Sequence, residues 1–439
     1  MTIHPITEQT QYTDLTDKLD THKFVCIPLW VNDKHAIENE IIAVGIYVDN
    51  DLYIVNHSHS DFPQFELGPV FERDQNMVLD KRLEVMYHYT VRNAIDLQSL
   101  FFCAGEEVPL LQDYMTPFHK NIYNRFPTYK NLNRAIPMAK WIESLTDMFN
   151  EVKLPEMVRT PTAVYNQMVI PTLQAIESAG LYVDEALLKE KFPTAEVIDG
   201  FVYSKYNMFN TTGRPSNSHN NINFLALNKT DGTREAFISR FGKDGMLVQY
   251  DFDSYHLRLL AGYMGIDLPP TSLHRQLAHE YYGADEITEE MYNESKQKTF
   301  AILYGNFPTT SAPKLLQDIK SLEDTLWESY SKTGYFEAKF SKRKIVVETP
   351  HKSKVFNYFV QNLEFETTLY KLHKLSKILS DRRSKAILYT YDAILFDCLE
   401  AEYGELRPIV EAVLTDGALL GATSFPVKET QGKTYNNMS

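Results

Sequence analysis

Two aspartates, Asp251 and Asp392, stand at the ends of apolar runs in this chain of 439 residues. Asp251 follows Met246-Leu247-Val248-Gln249-Tyr250 and precedes Tyr255-His256-Leu257-Arg258-Leu259-Leu260, whose spacing predicts a helix. Its carboxylate therefore closes a buried strand and opens a turn. Asp392 lies between Ile387-Leu388-Tyr389 and Ile394-Leu395-Phe396. A buried carboxylate is costly without a cation, and two of them on adjacent strands repel unless divalent ions sit between them. Magnesium takes oxygen ligands and prefers one or two carboxylates plus substrate phosphate oxygens, which suits a two-metal clamp on attacking and leaving oxygens. Either aspartate alone reads equally as a turn or cap residue. A further block, Lys296, Phe300 and Tyr304, is spaced i, i+4, i+8 and so shares one helix face. There a lysine can neutralise a triphosphate and an aromatic can pack on a sugar or base. The ordinary alternative puts these aromatics in a core and the lysine in solvent. Gly305 reads as the stop of that helix. Jointly these blocks are equipment for metal-assisted phosphoryl transfer to a nucleotide.

The elements that must position them follow from pattern. Leu247–Phe252 reads as a strand, Thr288–Leu303 and Gln361–Leu379 as helices, and Ala386–Phe396 as two short strands around a turn at Tyr391-Asp392. Val202–Phe209 also reads as a strand. Upstream, Phe24-Val25-Cys26-Ile27, Ile41–Val48 and Leu52–Val55 form a predicted strand series with a turn at Asp49-Asn50-Asp51. Tyr87–Val152 has a helical pattern broken at Pro109, Pro117, Pro127 and Pro137. A boundary is expected near Leu154–Thr162, before an amphipathic stretch from Ala163 to Ala179 that Gly180 would stop. The length calls for about two to three domains.

Composition bounds the rest. Hydrophobic residues at 44% and charged residues at 23% describe a packed globular protein. No apolar run is long enough for a membrane span, and the first residues have no apolar leader, so a soluble, cytoplasmic protein is expected. Cys26, Cys103 and Cys398 are far apart and offer neither a disulfide framework nor a zinc site. The net charge of −14 argues against a nucleic-acid partner. Between Ser331 and Lys385, however, thirteen Lys/Arg stand against five Asp/Glu, a net of +8. Such a run is either a solvated face or a phosphate-binding surface.

The blocks, in their order, resemble the motifs of the family A DNA polymerases, the bacterial DNA polymerase I family and its phage relatives, over roughly residues 160–439. Thr212-Gly213-Arg214 with Ser216, Asn221 and Asn223 resembles the stretch that lies along template and primer backbone. Gln249–Ala261 resembles the first catalytic aspartate block, Ser272-Leu273-His274 the nucleotide-binding histidine, Lys296–Gly305 the fingers helix, and Tyr391-Asp392 the second catalytic aspartate. Asn357 and Gln361 resemble the pair at the primer terminus and minor groove, where amide donors suit acceptors that every correct base pair presents. Phe425-Pro426-Val427 and Gly432-Lys433-Thr434-Tyr435 look like the family's tail.

The resemblance implies an α/β multidomain fold: an α+β palm with an antiparallel sheet (206–262 and 350–439), helical fingers (263–349), a reduced thumb region (154–205) and a degenerate 3′–5′ exonuclease-like α/β domain (1–153). It implies a template-directed DNA polymerase extending a primer 3′-hydroxyl with dNTPs, using two Mg2+ ions or Mn2+. Asp251, Asp392 and Lys296 would be catalytic, with Asp251, Asp392 and Phe252 as metal ligands. His256, His274, Lys296, Phe300 and Tyr304 would bind nucleotide. Thr212, Arg214, Asn221, Asn223, Asn357, Gln361 and Tyr391 would bind primer-template DNA.

Departures qualify this expectation. His256 stands where the family usually has Glu, Tyr292 where it has Arg at the start of the fingers motif, and Ala393 where a further carboxylate follows the aspartate. Only about 30 residues separate Gly180 from Thr212, and a thumb of several helices does not fit that length at about 1.5 Å of rise per residue. Low processivity alone, or a partner protein replacing the thumb, is therefore expected. Pro28-Leu29-Trp30 occupies the place of the exonuclease Asp-x-Glu, so no proofreading is expected. Two other readings stay open: a single-subunit RNA polymerase-like enzyme, and a non-catalytic DNA-binding or replisome assembly subunit.

Overall fold

The computed structural model describes residues 2–22, 24–30, 37, 41–58, 63–71, 76–78, 95–105, 156–305, 312–421 and 424–438. The chain divides into two compact units, Met1–Gln174 and Ala175–Ser439. In the first, a mixed six-stranded sheet has the order β1-β4-β3-β2-β5-β6. Its strands are β1 (Thr2–Pro5), β2 (Phe24–Trp30), β3 (Ile41–Val48), β4 (Asp51–Asn56), β5 (Asn76–Val78) and β6 (Ile95–Asp96). The β3–β4 hairpin turns through Asp49 and Asn50, both at positive φ, as the Asp-Asn turn chemistry requires. Helix α1 (Gln9–Leu19) buries Tyr12, Leu15 and Leu19 in a core with Phe24, Cys26, Val44, Ile46 and Val55. Two short helices, α2 (Gly68–Phe71) and α3 (Leu97–Ala104), follow before residue 106. Most of the proline-broken stretch 87–152 lies outside the described residues.

The sequence at 156–162 reads as a boundary but is helical. Helix α4 (Glu156–Val164), a π-helical turn at Tyr165–Val169 and α5 (Ile170–Ala179) form one helical run. Gly180 ends it at φ +62°, where a Cβ would meet the Tyr203 ring at 2.8 Å. The rest of the stretch expected to be a reduced thumb, 181–205, holds α6 (Glu185–Lys191) and the two-residue strands β7 (Leu181–Tyr182) and β8 (Phe201–Val202). The single strand expected over 202–209 is split, because β8 pairs with β7 whereas β9 (Tyr206–Asn207) pairs with β10 (Ser216–His219). Strand β11 (Ile222–Asn223) continues that small sheet.

The centre of the second unit is a four-stranded antiparallel sheet of order β15-β16-β12-β17. Its members are β12 (Gly245–Phe252), β15 (Lys385–Tyr389), β16 (Ala393–Leu399) and β17 (Val427–Gly432). Leu247, Leu388 and Leu395 meet Leu181, Val202, Phe224 and Phe237 in one buried cluster. Helix α7 (Tyr255–Tyr263) follows β12, and the Phe252 and Tyr255 rings stack at 4.1 Å. An excursion of three helices comes next: α8 (Leu273–Tyr282), α9 (Glu289–Tyr304) and α10 (Lys314–Thr333). The hairpin β13 (Phe336–Glu337) and β14 (Lys344–Ile345) leads into the long α11 (Lys352–Ile378), and α12 (Glu400–Thr415) follows β16.

Helix α11 begins well before the expected Gln361, because His351 caps it by accepting from the Lys354 amide. Gly305 ends α9, but not through a left-handed backbone. Its φ is −123°, and the constraint is space: a Cβ there would lie 2.6 Å from the Ala301 carbonyl oxygen. Among the described residues no helix is long and apolar enough to cross a membrane.

One hydroxyl closes the edge of the central sheet. The buried Tyr206 phenol donates to the Tyr389 carbonyl (3.1 Å) and accepts from the Tyr389 amide (2.8 Å). It thus satisfies both main-chain hydrogen-bonding groups of Tyr389, the last residue of β15. Tyr206→Phe leaves both unpaired in the interior and is expected to cost about 1–3 kcal/mol. A urea unfolding midpoint equal to that of the unmodified protein would count against this role.

Candidate active site

Strand pairing brings the two aspartates together. In the β12–β16 register Asp251 lies opposite Ala393, and the Phe252 amide donates to the Asp392 carbonyl oxygen at 2.9 Å. Unusual backbone lies three residues after Asp251 and directly before Asp392. Ser254, which caps α7, has φ +50°, and Tyr391 has φ +71°. Residues with a Cβ adopt this region sparingly, and such positions concentrate where a side chain must be presented. The Arg214 guanidinium lies 3.4 Å from the centre of the Tyr391 ring and holds it from above.

A cleft of about 360 Å³ opens beside the pair. Asp251, Phe252, Asp392, His256, His274, Lys296, Phe300, Tyr304 and Arg214 all line it. On α9 the buried residues are Ser295, Thr299, Ile302 and Leu303, so the core face is not the face carrying Lys296, Phe300 and Tyr304. Phe300 and Tyr304 are 41% and 37% exposed and their rings stack at 6.1 Å. This excludes the ordinary alternative of aromatics in the core. His274, on α8, is buried with its ring 5.6 Å from that of Phe300, and its Nδ1 is buried without a partner. Tyr292 packs edge-on to His274 and also takes the Arg275 guanidinium over its ring.

The electrostatics match a site waiting for positive charge. Burial, and then the negative charge of Asp392, push the Asp251 carboxyl up to about 6. Asp392 is raised as well, by burial and then by Glu364. His274 is lowered, by burial and then by Lys296, which keeps it neutral near pH 7. Two oxygen-donor groups whose proton affinity is raised by burial and by neighbouring carboxylates are a donor set that a hard divalent cation would relieve. The fit is partial in number: among the described residues no group of three or more His, Cys, Asp or Glu side chains could hold a metal ion. Remaining ligands would come from substrate oxygens, water or main chain. The Phe252 side chain is stacked in the core, so it can contribute only its carbonyl.

The other predicted residues lie outside the cleft. Thr212 is buried, and its carbonyl accepts from Asn362 Nδ2 at 2.9 Å. Asn221, at φ +63°, forms the β10–β11 turn and donates to the Thr194 hydroxyl, while the Asn223 side chain caps Leu225. Both therefore have local structural work. Asn357 and Gln361 share one face of α11, with Asn357 Oδ1 buried and unpartnered.

Sequence reasoning missed Glu364. It also lines the cleft, its side chain is 1% exposed, and it pairs with Arg214 Nε at 2.9 Å and His256 Nε2 at 3.1 Å. The signal was present: Asn357, Gln361 and Glu364 are i, i+4, i+7 on one helix.

No family model matches the chain. Over 147 residues the chain is 29% identical to the DNA polymerase of Bacillus phage SP01, a match spanning 30% of this chain and 16% of that protein. Its structure is similar to the polymerase domain of Pol1 from M. smegmatis, solved in complex with a DNA primer-template and dNTP. The TM-score is 0.76 at 15% sequence identity, with 99% of this chain and 100% of that chain covered. The fold is thus that of a polymerase domain of the DNA polymerase I type, with the mixed α/β architecture and antiparallel sheet expected from sequence.

The raised Asp251 carboxyl has a consequence for stability. Its folded pKa, about 6, lies above the unfolded value of 3.8. The folded chain therefore holds the proton more tightly, and this contribution is complete below pH 3.8 and lost as pH rises through about 6. In chelator, Asp251→Asn is expected to stabilise the protein at pH 8 by on the order of 1–2 kcal/mol, with the advantage fading toward pH 4. Thermal melts of the two proteins across that range measure it, and a pH-independent gap between them contradicts it.

Proposed function

We propose that this protein is a template-directed DNA polymerase that extends a primer 3′-hydroxyl with deoxynucleoside triphosphates. The observation that carries the reading is the meeting of Asp251 and Asp392 in one cleft with Lys296, Phe300 and Tyr304. The phage relative and the Pol1 structure supply independent support, since one is named a DNA polymerase and the other holds primer-template and dNTP.

Divalent ions, Mg2+ or Mn2+, held by Asp251 and Asp392 and by the Phe252 carbonyl would lower the proton affinity of the primer hydroxyl and neutralise charge on the phosphates. The chain's own residues do the rest. Lys296 sets a positive charge against the triphosphate, and neutral His274 offers its unpartnered Nδ1 as a hydrogen-bond donor to a phosphate oxygen. Phe300 and Tyr304 present flat, half-exposed faces to sugar and base, next to His256. The primer oxygen bonds to the α-phosphorus as the bond to pyrophosphate breaks. Catalysis is then mainly positioning and charge stabilisation.

On the DNA side, Arg214 and Tyr391 form the rim nearest the carboxylates, and Thr212 lies in the loop before them. Asn357 and Gln361 lie two turns and one turn before Glu364 on α11, where amide groups would read minor-groove acceptors common to all correct pairs. Asn221 and Asn223 belong to the outer contacts of the same surface. In this reading residues 206–262 and 350–439 are palm, 263–349 fingers, 154–205 a reduced thumb and 1–153 a degenerate exonuclease-like domain. A processivity partner would supply the grip on duplex that a seven-residue α6 does not, and the host cytoplasm would be the site of action.

The test is primer extension on a primed template. Asp251→Asn and Asp392→Asn should each lower the rate by about a thousandfold or more while leaving the fold intact, and Lys296→Ala should lower kcat/KM for dNTP by about a hundredfold. Extension retained in Asp251→Asn removes it from the site. Preference for NTPs over dNTPs turns the assignment toward an RNA polymerase, and duplex binding without extension toward an assembly subunit.

A further inference from the structure

Glu364 is buried beneath the cleft, with one carboxylate oxygen toward a guanidinium in an ion pair that lacks hydrogen-bond geometry and the other toward an imidazole. Oε2 lies 2.9 Å from Arg214 Nε and Oε1 lies 3.1 Å from His256 Nε2. The other imidazole nitrogen, Nδ1, is hydrogen-bonded to the hydroxyl of Tyr304. His256 is thus held at both ends, between α11 on one side and α9 on the other. These partners assign its neutral tautomer: a carboxylate can only accept, so Nε2 carries the hydrogen and Nδ1 accepts the Tyr304 O–H. The Tyr304 ring is 37% exposed and stacked on Phe300, so little packing restrains its outer edge.

We propose that Glu364 is a positioning residue for the nucleotide pocket: it fixes the tautomer and ring plane of His256, which holds the Tyr304 hydroxyl and so sets the aromatic wall of α9. The inference rests on the nucleotide-binding reading of the cleft. It makes the α11 carboxylate act on substrate through two intermediaries. A buried carboxylate that touches no substrate would otherwise be an expensive residue to keep in the interior. Arg214 offsets its charge from the loop side, which lets Oε1 serve the imidazole.

The first test is spectroscopic and independent of activity. In protein labelled with 15N-histidine, His256 is expected to show the Nε2–H tautomer, and Glu364→Met should abolish that preference. An Nδ1–H signal in the unmodified protein, or an unchanged spectrum in the variant, overturns the proposal. The second is kinetic. Glu364→Met should raise KM for dNTP about tenfold while kcat changes much less, and Glu364→Gln, which retains an acceptor, should recover most of the loss. Combined with Tyr304→Phe, Glu364→Met should add nothing further, because both cut one chain of contacts. Multiplying effects mean that Glu364 acts elsewhere and overturn the idea. If Glu364→Met does not fold, the His256 tautomer in the unmodified protein and the kinetics of Glu364→Gln decide: an Nδ1–H form, or a KM for dNTP raised as far as in Tyr304→Phe, overturns the proposal. If the unmodified protein extends no primer, the functional reading fails and the histidine spectrum alone decides the positioning role.

Discussion

The antiparallel pairing of β12 with β16 is the interaction on which the site depends. It sets Asp251 opposite Ala393 and bonds the Phe252 amide to the Asp392 carbonyl, so the main chains that carry the two carboxylates cannot move apart. Main-chain hydrogen bonds on both sides of β12, to β16 and β17, supply the rigidity. Free side chains would separate or take up a proton. Held ones keep a raised proton affinity, and the sheet in effect stores an attraction for cations.

Helix α11 plays the complementary part. Four of its buried polar side chains are each tied to a different element. Asn362 reaches the Thr212 carbonyl and Glu366 accepts from the Phe340 and Ser341 amides. Thr368 meets the Tyr255 hydroxyl, and Lys371 donates to the Leu414 carbonyl at the end of α12. Interior polar groups are tolerable only when paired, and once paired they specify geometry better than apolar contacts do. The cleft is therefore framed by a helix whose own hydrogen bonds fix the loop, the hairpin and the neighbouring helices.

The charge distribution reads differently in three dimensions. Several cations of the basic stretch 331–385 are structural: Arg343 donates to the Thr211 carbonyl, Lys371 is buried, Lys352 pairs with Asp324, and Arg382 with Glu405. Lys339 and Lys344 remain exposed, each over a tyrosine ring. A charge count along the chain cannot separate these cases, because whether a lysine meets a carboxylate, a carbonyl or solvent is set by elements distant in sequence.

What the sequence determined by itself was local. Alternating and helical periodicities placed the strands at 247–252 and 386–396 and the helices at 288–303 and 361–379, and the i, i+4, i+8 spacing put Lys296, Phe300 and Tyr304 on one face. Motif order then pointed to Asp251 and Asp392 as a pair. Only the tertiary structure decided that the α9 aromatics face a cleft and not a core, since both outcomes have the same periodicity. It also decided that Asn221 and Asn223 serve a turn and a cap. Glu364 shows the limit most clearly. A glutamate in a long helix has no local mark of its partners, and its role arises from Arg214, His256 and Tyr304, which reach it from three other segments of the chain. Short-range spacing is written in the chain, whereas the burial of a charge and the identity of the group that balances it are set by which distant segments pack together.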